Sequence, residues 1–426
     1  MRGWRRRDLL AAGLALPALA LPAAARATSS NGGPRVVIVG GGFGGATAAR
    51  YLARWSPQLR ISLIVGRERY WTCPFSNLVL IGERQLASLE VSHARLEAEG
   101  IEVLRRTAVD FDPHHRRLDL DDGSELAWDR LVLAPGIEVM PEAIEGHGVD
   151  SVERFPHAWL GGQATSHLAR RLQAVPDGGL VAISVPEAPY RCPPGPYERA
   201  SLFAWWLAQH RPRARLVILD ANDRFTKDDL FQAHWQAAHG DQLQWIGRAD
   251  GGSLRRVDPR RGSLHTDFDD WATDLACVIP PQRAAAIARR AGLDEGRGWC
   301  AIDPVTFASR IHPEVHVIGD AAIANPMPKS AFAAASQARV CAAAIATALE
   351  GKAPPQALLT NTCYSLLTPE TAIAVTGSYR ATAQGIEPLP GTTGNSPADA
   401  SDAERRAEAG HARGWYAAAR ADAFGD

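Results

Sequence analysis

The run Arg35-Val36-Val37-Ile38-Val39, closed by Gly40-Gly41-Gly42-Phe43-Gly44-Gly45, restricts the fold of this chain more than any other stretch. Uninterrupted β-branched residues make a strand buried on both faces, as in a parallel sheet covered by helices. The glycines that follow hold the G-x-G-x-x-G spacing at Gly40, Gly42 and Gly45, with Phe43 inside it. Residues 46–55 then read as a helix whose small residues face the strand. In that context the first glycine makes the turn, the second admits a pyrophosphate, and the third lets helix and strand close up. A dinucleotide site opening an α/β fold is the expectation, with a fortuitous glycine turn as the alternative. The next strand, 60–65, lacks the acid that grips a ribose about 20 residues past such glycines. Glu68 is the nearest carboxylate.

A second unit of the same architecture begins near Gly146, with a helix over 164–174 and strands over 179–185 and 215–220. Its turn is different. Where glycines would cradle phosphate, the chain reads Pro186-Glu187-Ala188-Pro189-Tyr190-Arg191-Cys192-Pro193-Pro194-Gly195-Pro196-Tyr197-Glu198. Proline removes amide donors and stiffens the backbone, so this turn suits a fixed thiol better than a phosphate. The second unit is therefore expected to keep the fold without binding NAD(P)H. A helix over 197–209 would favour the thiolate of Cys192 and lower its pKa. Glu198, in the first turn of that helix, is either an acid or base for the thiol or a carboxylate answering the helix dipole.

The expected fold class is α/β: two Rossmann-like dinucleotide-binding domains, glutathione-reductase-like, plus a C-terminal α+β domain. Residues 34–145 and 275–352 form the first, discontinuous domain, 146–274 the second, and 353–426 the last. A helix is expected over 91–99 and an exposed loop over 389–401. Residues 1–27 are an export signal: Arg6-Arg7 with Leu9-Leu10 has the twin-arginine form, ordinary secretion being the alternative. Beyond that leader no stretch is expected to be long and apolar enough to span a bilayer. The net charge of −1 gives no pull toward nucleic acid. Six cysteines occur without a zinc-type cluster, so no metal site is expected, and without Cys-x-x-Cys-His, so the chain carries no c-type haem.

With Tyr70-Trp71-Thr72-Cys73, Pro156-His157-Ala158-Trp159, the Cys192 turn, Ile279-Pro280-Pro281, Gly319-Asp320, Asn361-Thr362-Cys363-Tyr364 and Trp415-Tyr416 in place, the mature chain resembles flavoprotein subunits of flavocytochrome c sulfide dehydrogenase over nearly its whole length. The resemblance implies FAD bound at Gly40, Gly42, Phe43 and Gly45, with Asp320 on its ribityl chain. It also implies that the helix opened by Lys329 aims its N-terminus at the flavin ring. Cys73 would tether FAD covalently, and Cys192 and Cys363 would form a redox disulfide, Cys363 being the sulfur nearer the flavin. Cys277, Cys300 and Cys341 are left as core thiols. The implied activity is oxidation of hydrogen sulfide in the periplasm, with electrons passed to a c-type cytochrome subunit and no integral membrane association. The alternatives are a sulfide:quinone oxidoreductase and a flavoprotein redox partner of a thiosulfate-oxidising complex.

Overall fold

The computed structural model describes residues 32–66, 69–356 and 358–426, so the leader and Glu68 lie outside the described residues. Arg35–Val39 has no polar side chain after its first residue, and it is the middle strand of a five-stranded parallel sheet. The strands run in the order Val315–Val317, Arg130–Leu133, Arg35–Val39, Arg60–Ile64, Glu102–Leu104. Val36 pairs with Ile61 on one side and Arg130 on the other, and Val36, Val37 and Ile38 are fully buried. The glycine turn leads into the helix Phe43–Trp55, which packs on the helix Ala331–Leu349. Both helices bury alanines along the shared face, so their backbones approach closely.

The second sheet is also parallel, in the order Leu243–Ile246, Arg215–Asp220, Leu180–Val185, Leu275–Val278. Its central strand runs into the Cys192 turn and then the helix Gly195–His210. The last part is an antiparallel sheet of Leu358–Leu366, Ala372–Thr382 and Gly385–Pro388, followed by the helix Asp402–Phe424. Ser401 and Glu404 close a capping box at that helix's start. Its far end is held by Arg50, which pairs with Glu99 at 2.7 Å and donates to the Ala421 and Asp422 carbonyls at 2.6 Å. Phe424 is fully buried, with its ring 5.1 Å from that of Phe43.

Three local expectations change. Residues 91–99 are not one helix: Glu90–Val91 pairs with Tyr70–Trp71 as a short antiparallel ladder, and only Ala94–Ala98 is helical. Cross-strand pairing of the β-branched Val91 outweighs the weak helical pattern. Within 389–401, Gly394–Asn395 adds a strand beside Val375 and Thr376. The helix Ala331–Leu349 reaches the length and hydropathy of a bilayer span, contrary to the expectation that no stretch beyond the leader would. It is apolar because it packs between the first helix and the strand Leu358–Leu366.

Candidate active site

A cavity of about 530 Å³ lies where the glycine turn, the Cys73 segment, the Cys192 turn, the Gly319-Asp320 turn and the strand bearing Cys363 converge. Gly40 has φ +109°, and a Cβ there would stand 2.2 Å from the Ala134 carbonyl oxygen. A Cβ on Gly45 would stand 1.8 Å from the Gly40 oxygen, so the third glycine is what lets helix meet strand. Gly42 and Phe43 line the cavity beside them. Across it, Ser330 caps the helix Ala331–Leu349 by accepting from the Ala333 N–H, which turns that N-terminus into the cavity wall.

Three buried polar atoms of residues lining this cavity have no partner among the described residues: Asp320 Oδ1, Arg191 Nε and Trp159 Nε1. Burial raises the Asp320 carboxyl above its ordinary range, with Arg191 and Lys329 opposing. An orphaned buried acceptor costs about 1–3 kcal/mol unless something donates to it. A hydroxyl-bearing chain laid across the cavity from the glycine turn would do so, and the residues present fit FAD. Lys329 is not part of the wall. Its Nζ donates to the Asp320 and Ala322 carbonyls (2.7 and 2.9 Å) and lies 3.9 Å from the Trp299 ring centre. Burial lowers its pKa to about 8. Lys329 thus braces the backbone that presents Asp320, and its own carbonyl accepts from the Cys192 N–H at 2.8 Å.

Cys73, Cys192 and Cys363 come from three different parts of the chain and open into this one cavity. Cys192 has φ +58°, a left-handed conformation that a side chain other than glycine adopts at a cost. A Cβ on Gly195, the first residue of the next helix, would meet its sulfur at 2.9 Å. The expected lowering of its pKa is not found. Burial pushes the Cys192 thiol well up, Cys73, Cys363 and Glu198 add to the rise, and Arg191 opposes it. Desolvation and like charges outweigh a helix end that stops three residues away. All six cysteines are free thiols here, so the bond expected between Cys192 and Cys363 is not formed in this structure. Cys277, Cys300 and Cys341 are fully buried.

Glu198 ties these parts together. Its carboxylate accepts from Asn77 Nδ2 at 2.8 Å, just past Cys73, and from the Leu366 N–H at 3.1 Å, on the strand of Cys363. Asn77 in turn accepts from Arg199 Nε at 3.1 Å, and Arg199 donates to the Cys277 sulfur at 3.0 Å. Burial raises the Glu198 carboxyl; Asn77, Leu366 and then Lys227 and Arg199 hold the rise in check. Trp415 lines the cavity, stacked on Phe332, while Tyr416 shares a 2.5 Å hydrogen bond with Thr72. Sequence reasoning passed over Asn77, Arg191 and Lys227. Arg191 was legible as the cation next to Cys192, whereas Lys227 sits in an unremarkable turn.

In the second unit, the acid ending strand Arg215–Asp220 is already engaged. Asp220 accepts from the Tyr197 hydroxyl (2.7 Å), Trp245 Nε1 (2.9 Å) and Asn222. Phe225 stacks on the Tyr197 ring at 3.7 Å.

Two α/β units of parallel sheet, one with a glycine cradle and one with a cysteine in its place, define a flavin-dependent oxidoreductase of the pyridine nucleotide-disulphide oxidoreductase class. Residues 34–175 match that family directly. Residues 165–280 match "Sulfide dehydrogenase (flavocytochrome c) flavoprotein chain, central", and 355–424 match "Flavocytochrome c sulphide dehydrogenase, flavin-binding". The chain belongs to the sulfide-oxidising flavoproteins that comprise flavocytochrome c sulfide dehydrogenase and sulfide:quinone oxidoreductase. It is 22% identical over 374 residues to the mitochondrial sulfide:quinone oxidoreductase of Mus musculus, spanning 83% of this chain and 80% of that protein. It is 50% identical over 48 residues, 11% of this chain, to the whole recorded sequence of a sulfide dehydrogenase (flavocytochrome c) flavoprotein chain of Chlorobaculum thiosulfatiphilum. The fold is shared with the sulfide:quinone oxidoreductase of Aquifex aeolicus, at TM-score 0.73 and 16% identity over 91% of this chain and 92% of that one.

Proposed function

We propose that this protein is the flavoprotein subunit of a sulfide dehydrogenase that delivers electrons to a c-type cytochrome, exported to the periplasm by its twin-arginine leader. The observation that carries this reading is the convergence of Cys73, Cys192 and Cys363 on one cavity with the glycine cradle. Cys192 and Cys363 act as a dithiol–disulfide pair. Hydrosulfide attacks the disulfide, which breaks to leave a persulfide on Cys192 and a thiolate on Cys363. A second hydrosulfide removes the outer sulfur as HSS⁻ and leaves Cys192 as a thiol. Closure of the pair then releases one proton and two electrons, so that two HS⁻ become HSS⁻, H⁺ and an electron pair. Bound FAD, held covalently through Cys73, supplies the acceptor for that pair and a route to a one-electron carrier. Glu198, buried between the two cysteine segments, takes and returns the proton. The engaged Asp220 and its aromatic neighbours support a second unit that binds no NAD(P)H.

The test is anaerobic sulfide oxidation by the purified protein, with cytochrome c or a soluble quinone as acceptor. Faster reduction of cytochrome c is expected, and a several-fold preference for quinone would move the reading to a sulfide:quinone oxidoreductase. Turnover with NADH would overturn the assignment of the second unit.

A further inference from the structure

Lys227, outside the cavity lining, brings to the strand of Cys363 a cation that the reading above leaves unused. It precedes the helix Asp228–Ala238 in a left-handed conformation, φ +65°, and is only 3% exposed. Its Nζ donates to the carbonyl of Cys363 at 3.1 Å, to Ser365 Oγ at 2.8 Å and to the carbonyl of Ile373 at 3.5 Å. Cys363 and Ser365 are two apart on one strand, so their side chains share a face of the sheet. An ammonium bonded to the Ser365 hydroxyl therefore lies on the face that carries the Cys363 sulfur. Uncharged acceptors hold a buried ammonium in place without neutralising it, and such a charge is costly unless an anion faces it.

The groups that face it come from each element packed around it. In descending influence they are Cys363 on the strand, Glu198 on the helix Gly195–His210, Cys192 on the turn, and Glu408 on the C-terminal helix. Glu408 is engaged with Arg405 and Ser396, and Glu198 with Asn77 and Leu366. On its own segment, Arg224 is occupied by Asp228. From the side of Cys363, burial raises the thiol most, Lys227 lowers it, and Glu198 and Cys73 raise it. For Cys192 the opposing cation is Arg191. We propose that Lys227 is the positioning residue that holds the Cys363 sulfur as the thiolate of the pair, leaving Cys192 to carry the persulfide. This rests on the dithiol reading above and names the group that fixes the parts it gives the two sulfurs.

The test reads thiol chemistry alone, without sulfide or an electron acceptor. Reduced holoprotein is alkylated with iodoacetamide across a pH series, and the Cys363 and Cys192 peptides are quantified by mass spectrometry. In Lys227→Met, alkylation of Cys363 at neutral pH should fall about tenfold, with its inflection moved to higher pH by about one unit. Cys192 should change less than twofold, and Lys227→Arg should keep the Cys363 profile near that of the parent. Should Lys227→Met not fold, Ser365→Ala frees the ammonium from its anchor on the sulfur's face and should move the same profile in the same direction. An unmoved Cys363 profile in a folded variant, or an equal shift at both cysteines, overturns the inference. Failure of sulfide turnover in the parent, with the Cys363 shift intact, would instead strike at the proposed function.

Discussion

At the scale of single residues, Glu198 is where the geometry makes the firmest demand. It touches the segment after Cys73 through Asn77 and the strand of Cys363 through Leu366, so one carboxylate registers two of the cysteine segments against the helix after the third. Burial raises its pKa, so its proton is retained above the ordinary carboxylate range. A base of this kind must ionise to act, so sulfide-dependent reduction should fall on acidification at a higher pH than an ordinary glutamate would give. Glu198→Gln should slow that step by about 10²-fold and remove the acidic limb of its pH profile. An unchanged rate and limb would leave Glu198 a purely architectural role. Glu198 was legible because it stands in the first turn of the helix that follows Cys192. Lys227 was not, because its bond to the Cys363 carbonyl spans 136 positions and only the fold brings the two together.

At the scale of elements, the glycine turn and the cap at Ser330 can be tested separately. A Cβ on Gly45 has nowhere to go against the Gly40 carbonyl, so Gly45→Ala should destabilise by about 1–3 kcal/mol and lower the fraction of purified chain that carries FAD. Ser330 both caps the long helix and donates to Asn361 Oδ1 at 2.7 Å, two residues before Cys363. Ser330→Ala should cost about 1–2 kcal/mol in chemical denaturation and loosen that strand as well. The central strands were readable because burial on both faces writes itself as an unbroken apolar run. The short ladder of Tyr70–Trp71 with Glu90–Val91 was not, since two-residue strands have no period to detect. The helix Ala331–Leu349 was expected as a helix, but its apolar length follows from packing on both sides rather than from a membrane.

At the scale of the whole molecule, stability should depend on pH through buried histidines. His157, His234 and His316 are each lowered to about 4, chiefly by burial that disfavours the charged ring. Between that value and the ordinary histidine range near 6.5, the unfolded chain binds protons that the folded chain refuses. Stability is therefore full above about pH 6.5 and is lost as pH falls toward 4. Thermal melts should be flat above neutrality and drop steadily below it, and His316→Gln should shallow the slope. The fold itself survives at 16% identity in the Aquifex protein because strand pattern and close glycine packing, not particular side chains, specify it. What the pattern cannot specify is which distant cysteines meet, and that pairing is the central claim. Its most direct measurement is peptide mapping of the oxidised holoprotein, alkylated without reduction. The expected result is a single cross-linked peptide joining Cys192 to Cys363, with flavin retained on the Cys73 peptide. Recovery of Cys192 and Cys363 as separately alkylated thiols from fully oxidised protein would contradict it.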